Sequence, residues 1–442
     1  MRLKLGEWKL VLPLLGVLAI NTLVLEIADV VATSGFVSKV GPAQVPWLWL
    51  ADMAATLLLS GFYALVVDRM SRVQLVGLLL GGAALAYLVI QSLLSYGAPE
   101  GVTYFLLYIL SDQQLIVFPL AFWALANDMY TPSEAKRLFP VIAAGSALGS
   151  IVGNSVGAGS AVVFARLGQS SSQLLSVGAA LLLTGAAVLW LTFRNRPVRA
   201  RQSTRGEANL RGTLQVGMDF FRNVPLFTYL AVAMLLMQLA LTFVEYHFLY
   251  SIDRAAPSNS LLFQTIYSAY KVAFIATMIL FQWLVVGRFL DKVGLKNTFL
   301  ALPFALLLAA SSALALPGFL GGAIARFVAR LVERGWDEPS RKSLQNLIPD
   351  ERRGRVGAFL DSYFYAVATM AGCVILLLLL WLSASGRLPP GAAQTIYLGL
   401  AGLASLGAIW AAFKSRATYE ASLLDWRLAR PRRRSVLDGI EF

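Results

Sequence analysis

The stretch RFVARLVERGWDEPSRK, residues 326–342, gathers the densest chemistry in the chain: eight of its seventeen residues are charged. On a regular helix at ~100° per residue, Arg326, Arg330, Glu333, Arg334, Asp337 and Arg341 fall within an arc of about 100°. Guanidinium groups recognise carboxylates and phosphates in fixed fork geometry, so this face suits either an anion or an internal ion-pair ladder. The ladder would run Arg330–Glu333, Arg334–Asp337 and Arg334–Glu338, at i,i+3 and i,i+4. Depth divides the stretch. Arg330 lies ~18 Å along a helix starting near residue 318, with Arg326 ~6 Å to one side and Arg334 ~6 Å to the other. Arg330 and Arg326 are therefore substrate candidates, whereas Glu333 to Lys342, including Arg334 and Asp337, suit pairing or a gate.

Other ionisable residues reach a similar depth. Lys271 and Asp112 each lie ~15 Å into their helices, and Gln113 follows Asp112. Asp112 precedes Pro132 by 20 residues and Arg330 precedes Pro349 by 19, which sets opposite charges at one level. They either pair with each other or form a substrate-and-proton site. Glu26 and Asp29 share one face of the first helix, and Asp52 and Glu245 lie in outer halves of theirs. These carboxylates bind protons, pair with the arginines, or close an outer gate; the sequence leaves all three open.

Such residues need unusual elements to position them. The 442 residues are 58% hydrophobic and only 14% charged, against about a quarter in soluble proteins. Mean hydropathy is +0.68. Apolar runs of ~20 residues, each long enough for a ~30 Å bilayer core, recur throughout. The basic start MRLKLGEWK leads into an apolar run longer than a signal peptide and reads as a retained first span. The expected fold is an all-α membrane protein with twelve transmembrane helices in two pseudo-symmetric six-helix bundles. The helices fall at 10–37, 44–67, 73–96, 102–131, 138–165, 172–193, 223–250, 261–289, 296–316, 318–348, 356–384 and 392–413.

Lys and Arg number 29 at one set of loops and tails and four at the other. By the positive-inside rule both termini lie in the cytoplasm, with the chain multi-pass in the cytoplasmic (inner) membrane. The net charge of +13, and the tail segment RPRRR at 430–434, read as topology rather than nucleic-acid binding. The Arg-rich stretch after residue 193 divides the chain into 1–193, a linker 194–222, a second unit 223–413 and a basic tail 414–442. The lone Cys373 and lone His247 exclude disulfides within the chain and sites built from several histidines. No G-x-x-x-x-G-K-[ST] occurs, so nothing points to ATP hydrolysis by this chain. No enzyme activity, cofactor or metal is expected; the partners are a small-molecule solute and membrane lipids, and the chain reads as a monomer.

Matching loops recur in the two halves. ALVVDRMSR, with Asp68, Arg69 and Arg72, corresponds to GRFLDKVGLK, with Asp291 and Lys292. TPSEAKR, with Lys136 and Arg137, corresponds to IPDERRGR, with Arg353 and Arg355. Duplicated halves are common in secondary transporters. GRFLDKVGLK resembles the signature loop of the major facilitator superfamily, and ALVVDRMSR its degenerate copy, with Ala64 and Ser71 replacing the glycines. The resemblance implies that these Asp-basic pairs latch the two halves, and that helices 1, 4, 7 and 10 line a central cavity. Helices 3, 6, 9 and 12 lack internal charge, as lipid-facing scaffold would. Helix 5 carries Gly145, Gly149, Gly153 and Gly157 at the spacing of close helix packing.

The segment FWALANDMYTPSEAKRLFPVIAAGSALG, 122–149, resembles the nucleotide-transporter (ATP:ADP antiporter) branch. Phe122, Trp123, Ala126, Asn127, Asp128, Glu134, Ala135, Lys136, Arg137, Phe139, Pro140 and Gly145 carry that resemblance. It implies a secondary antiporter working by alternating access on an anionic, nucleotide-like or phosphorylated solute. The alternatives are a proton-coupled carrier of a neutral or cationic solute using Asp112 and Glu26, and a lipid translocator or non-transporting receptor.

Overall fold

The computed structural model describes residues 7–66, 70–167, 170–194, 225–286, 295–345 and 363–429. Every described element is helical. This follows from the solvent, because a lipid-embedded backbone must satisfy its own hydrogen bonds. The long helices are α1 (Trp8–Val40), α2 (Val45–Val66), α3 (Arg72–Ser95), α4 (Glu100–Met129), α5 (Pro132–Leu167) and α6 (Leu174–Phe193) in the first part. In the second they are α7 (Pro225–Ala255), α8 (Ser260–Phe281), α9 (Ala301–Ala315), α10 (Phe319–Val332), α11 (Tyr365–Ala384) and α12 (Ala392–Ala429). Nine helices among the described residues are long and apolar enough to cross a membrane; Ala301–Ala315 is a shorter apolar helix. An all-α, multi-span membrane protein is thus established, while the full count of twelve spans remains an expectation.

Local chemistry sets several helix starts. Thr131 and Glu134 form a reciprocal cap at α5: the Thr131 amide donates to Glu134 Oε2 at 2.9 Å, and the Glu134 amide donates to Thr131 Oγ1 at 3.4 Å. Pro132 occupies the first helical position, where its missing N–H leaves no gap. Ser71 caps α3 and Asn259 caps α8 through their side-chain oxygens.

The helices up to residue 193 pack chiefly on one another, and so do most of those after 225. The two sets meet through α5 with α8, α2 with α11, and α1 with α8. The glycines of α5 explain part of this. A Cβ at Gly145 would sit 2.5 Å from the Leu15 carbonyl oxygen, and one at Gly153 would sit 2.6 Å from that of Leu23. Gly149 is pressed in the same way against the Ala19 carbonyl oxygen. The fourth glycine turns elsewhere: a Cβ at Gly157 would lie 2.9 Å from Ser268 Oγ of α8. One stripe therefore clamps α5 onto α1 and then meets the second half.

Helix 10 departs from the expected regular helix. Residues Glu333–Asp337 form a π-helical turn between α10 and a further helix, Glu338–Gln345. The extra residue in that turn advances everything after it around the axis. The single charged arc inferred for Arg326 to Arg341 is thereby broken after Glu333. A second π-helical turn, Gln282–Val286, ends α8 and packs against the first. Gly335 makes that approach possible, since a Cβ there would lie 2.7 Å from the Phe281 ring.

Replacing Gly149 with Ala should lower the stability of the detergent-solubilised chain by about 1–3 kcal/mol, read as a fall in thermal unfolding temperature. Gly159→Ala, on an exposed part of the same helix with no atom within 4 Å of its Cβ, should leave that temperature unchanged or raise it slightly.

Candidate functional site

Helices α1, α2, α4, α7, α8, α10 and α11 surround one cavity of about 240 Å³ between the two halves. Helices α3, α6, α9 and α12, charged only toward their ends, contribute nothing to its lining and instead expose Leu85, Trp190, Leu308 and Trp410 on the outside. Glu26, Asp29, Asp52, Asp112, Glu245, Lys271, Arg326, Arg330 and Arg334 all line the cavity. Candidates from six separate segments of sequence thus converge on one place.

The charges are paired in two groups. Lys271 Nζ of α8 lies 2.5 Å from Glu26 Oε2 and 2.7 Å from Asp29 Oδ2, both on α1. Their spacing of three places both carboxylates on the face turned to α8. Ser150 of α5 donates to Glu26 at 2.8 Å, and Thr33 donates to Asp29 at 3.3 Å. Among the described residues, every ion pair joining the two halves runs through Lys271.

The second group stays within the second half. Arg326 grips Glu245 of α7 with two nitrogens, at 2.5 and 2.9 Å. Arg330 shares Glu245 at 3.2 Å and reaches Glu333 at 2.8 Å. Arg326 also lies against three aromatic rings: its guanidinium carbon is 4.4 Å from the centre of Phe248, 5.0 Å from Tyr270 and 5.3 Å from Tyr267. Bidentate pairing and ring faces leave that side chain little freedom.

A third arrangement is acidic. The Asp52 and Asp112 carboxyl groups, on α2 and α4, hydrogen-bond to each other. Gln113 Nε2 donates to Asp52 Oδ1 and to Thr56 Oγ1, each at 2.9 Å. Both aspartates line the cavity, Asp52 being 1% exposed and Asp112 only partly buried. Asp112 and Arg330, expected at one depth, do face each other electrostatically, but Arg330 is bound to Glu245 and Glu333 instead.

Two ion-pair expectations need correction. Asp337 does not bond to Arg334: its Oδ2 accepts from Arg341 Nε at 2.6 Å, and the π-helical turn is the cause. Arg334 consequently stands exposed on the cavity wall, with no ion pair or hydrogen bond among the described residues. Of the latch residues, Arg72 lies 3.5 Å from Asp128 and Arg137 pairs with Glu7, both within the first half. Asp68, Arg69, Asp291, Lys292, Arg353 and Arg355 lie outside the described residues, as does the side chain of Lys136. The cavity also has an aromatic lining, including Trp49, Tyr108 and Tyr365, that no spacing in the sequence announced.

This fold and this cavity define an all-α, multi-span membrane protein with a cavity enclosed between its two sets of helices. Residues 96–330, just over half of the chain, match the sequence model of the TLC ATP/ADP transporter family, and the chain belongs to that family. The fold is shared with the nucleoside transporter NupG (D323A mutant) at 14% identity and TM-score 0.66, covering 92% of this chain and 99% of that one. It is shared with a bacterial homologue of the iron transporter ferroportin in its inward-facing state (18%, TM-score 0.58, 94% and 100%). A bacterial homologue of the human lysosomal transporter Spinster, inward-facing and unoccupied, matches at 14% and TM-score 0.60, over 97% and 100%. No curated protein matches.

The narrower expectation of a nucleotide-exchanging branch does not stand. Solved structures sharing the fold include transporters of nucleosides and of peptides and a homologue of an iron transporter, at 11–18% identity, which shows the fold alone. The family match also begins after α1. That helix supplies Glu26 and Asp29, which occupy the ammonium of Lys271.

The Glu245 network should behave as a structural clamp. Arg326→Ala leaves a buried carboxylate short of its closest partner and should destabilise the purified protein by about 3–5 kcal/mol. The double change Arg326→Met with Glu245→Leu should recover much of that loss in a thermal unfolding assay.

Proposed function

We propose that this chain is a twelve-span secondary active transporter that moves a small anionic solute by alternating access. The observation that carries the anionic reading is Arg334. It is a cation exposed to the cavity whose charge no carboxylate of the described residues has bound. A charged group inside a membrane protein is costly unless it is used, and the usual uses are pairing and solute contact. The solute presents a phosphate or carboxylate to Arg334, with Arg330 adding its field from one turn away.

The same reading gives the Lys271 triad a role as a gate. Alternating access needs contacts between the halves that form in one state and break in the other. Lys271 with Glu26 and Asp29 has that placement, and Gln264 Nε2 of α8 adds a bond to the Gly157 carbonyl of α5 at 2.8 Å. These contacts hold the halves together toward the end where α5 finishes and α8 begins. The excess of basic residues at the other end supports cytoplasmic termini in an inner membrane, with that gate on the outer side. The surplus of one carboxylate over the cations lining the cavity favours a second reading, a proton-coupled carrier of a neutral or cationic solute.

Uptake into proteoliposomes separates the two readings. A panel of phosphate esters, dicarboxylates and organic cations should show accumulation of an anion, reduced at least about tenfold by Arg334→Gln, as befits loss of a charge-assisted contact of ~1.5–3 kcal/mol. Accumulation of cations alone would overturn the anionic reading. For the gate, Ser160→Cys with Gln264→Cys in a Cys373→Ser background puts thiols at two positions whose native side chains touch, Gln264 Nε2 lying 3.5 Å from Ser160 Oγ, within reach of a short bifunctional thiol reagent. The pair should cross-link readily, and adding Lys271→Gln should cut the yield severalfold; an unchanged yield would remove Lys271 from the gate.

A further inference from the structure

The acidic pair and the unpaired arginine face the same space. Asp112 is hydrogen-bonded to Asp52 on one side and turns toward Arg334 and Arg330 on the other. Two carboxyl groups can share a hydrogen bond only while one of them holds a proton; with both ionised they repel at contact distance. We propose that Asp112 and the transported anion compete for Arg334, and that a proton held between Asp52 and Asp112 decides the competition. Each bound anion then brings one proton with it.

The surroundings leave few other partners. The groups facing Asp112 are Asp52, Asp29, Arg330, Arg334 and the phenols of Tyr108 and Tyr365. Asp29 is held by Lys271, and Arg330 is held by Glu245 and Glu333. Arg334 is the cation among them not committed to a carboxylate. While the pair keeps its proton, Asp112 is neutral and Arg334 presents an uncancelled charge to the cavity. Once the proton leaves, Asp112 becomes a fixed anion opposite Arg334 and occupies the field an entering solute needs. Gln113 supports the exchange: its Nε2 donates to Asp52, while its own buried Oε1 has no hydrogen-bond partner and can accept one when the amide turns. Proton and solute are thereby coupled by a shared charge rather than by a movement, and the coupling is reciprocal.

The inference rests on the anionic reading, and two measurements on the full chain in lipid nanodiscs keep the two apart. Infrared difference spectroscopy should show a protonated-carboxyl band that Asp112→Asn and Asp52→Asn each remove. Arg334→Gln should make that band persist to higher pH, because losing a nearby cation favours the neutral acid. Absence of the band, or a band indifferent to Arg334, overturns the proposal without touching the anionic reading. Binding of sulfate, whose charge is constant from about pH 5 to 9, should weaken about tenfold per pH unit where the band is lost, the slope of one linked proton. Asp112→Asn should bind sulfate with a flat profile. Sulfate binding that is flat in the unsubstituted chain also overturns the coupling. Failure of sulfate, phosphate and succinate to bind at any pH, with the band behaving as expected, sinks the anionic reading and with it the competition, leaving only a proton-holding pair.

Discussion

A charge placed in the middle of a membrane protein has to be met by another charge, and here that requirement organises the interior. Lys271 is the clearest case. Its side chain is only 18% exposed, and its counter-charges come from a helix of the other half. Desolvating an ion costs several kcal/mol even after relaxation, so the pair is tolerated only with good geometry and further hydrogen bonds. Ser150 and Thr33 supply those bonds. The consequence is mechanical: as long as Lys271 stays charged and enclosed, α8 is tied to α1. The contact can break only if water or a solute replaces the carboxylates, which is what opening a cavity provides.

The Glu245 network obeys the same electrostatics with a different outcome. Its members lie on α7, α10 and the turn that follows α10, all in the second half. Relative movement of the halves leaves it intact. The glycine stripe plays the matching part in the first half, where Gly145, Gly149 and Gly153 bring α5 against the backbone of α1. Each half is therefore stiffened by contacts of its own, and the contacts between the halves include the Lys271 ion pairs and the Gln264 hydrogen bond. Two stiff bodies joined by breakable polar contacts are the physical requirement for a rocking motion.

Much of this was legible in the residues, for reasons that also mark where legibility ends. Helical rise gives depth, so Lys271, Asp112 and Arg330 could be put near one level from counting alone. Periodicity gives a face, so Glu26 with Asp29, and the four glycines, could be assigned to one side of a helix. Neither gives the rotation of one helix against its neighbour. For that reason the sequence does not announce that the Asp52 and Asp112 carboxyl groups meet. Nothing in the spacing revealed the ring faces of Phe248, Tyr267 and Tyr270 around Arg326. The π-helical turn at Glu333–Asp337 defeats periodicity in another way, because one extra residue in a turn is invisible in the sequence. It cost the Arg334–Asp337 pair and left Arg334 facing the cavity.

Arg334 narrows how selectivity can arise in such a site. An anion can occupy a cation already bound to a carboxylate only by displacing that carboxylate into a poorer environment. Glu245 is held by two arginines and Glu26 by Lys271 and Ser150, so displacing either leaves a buried charge unmatched. Displacing Asp29 or Glu26 also means parting α1 from α8. Arg334 carries none of these penalties, since its opposing carboxyl, Asp112, is already turned toward a second acid. On the anionic reading proposed above, the three other cavity cations would set the field around the solute, and Arg334, bound to no carboxylate of the described residues, would be the cation that an entering anion meets at least cost.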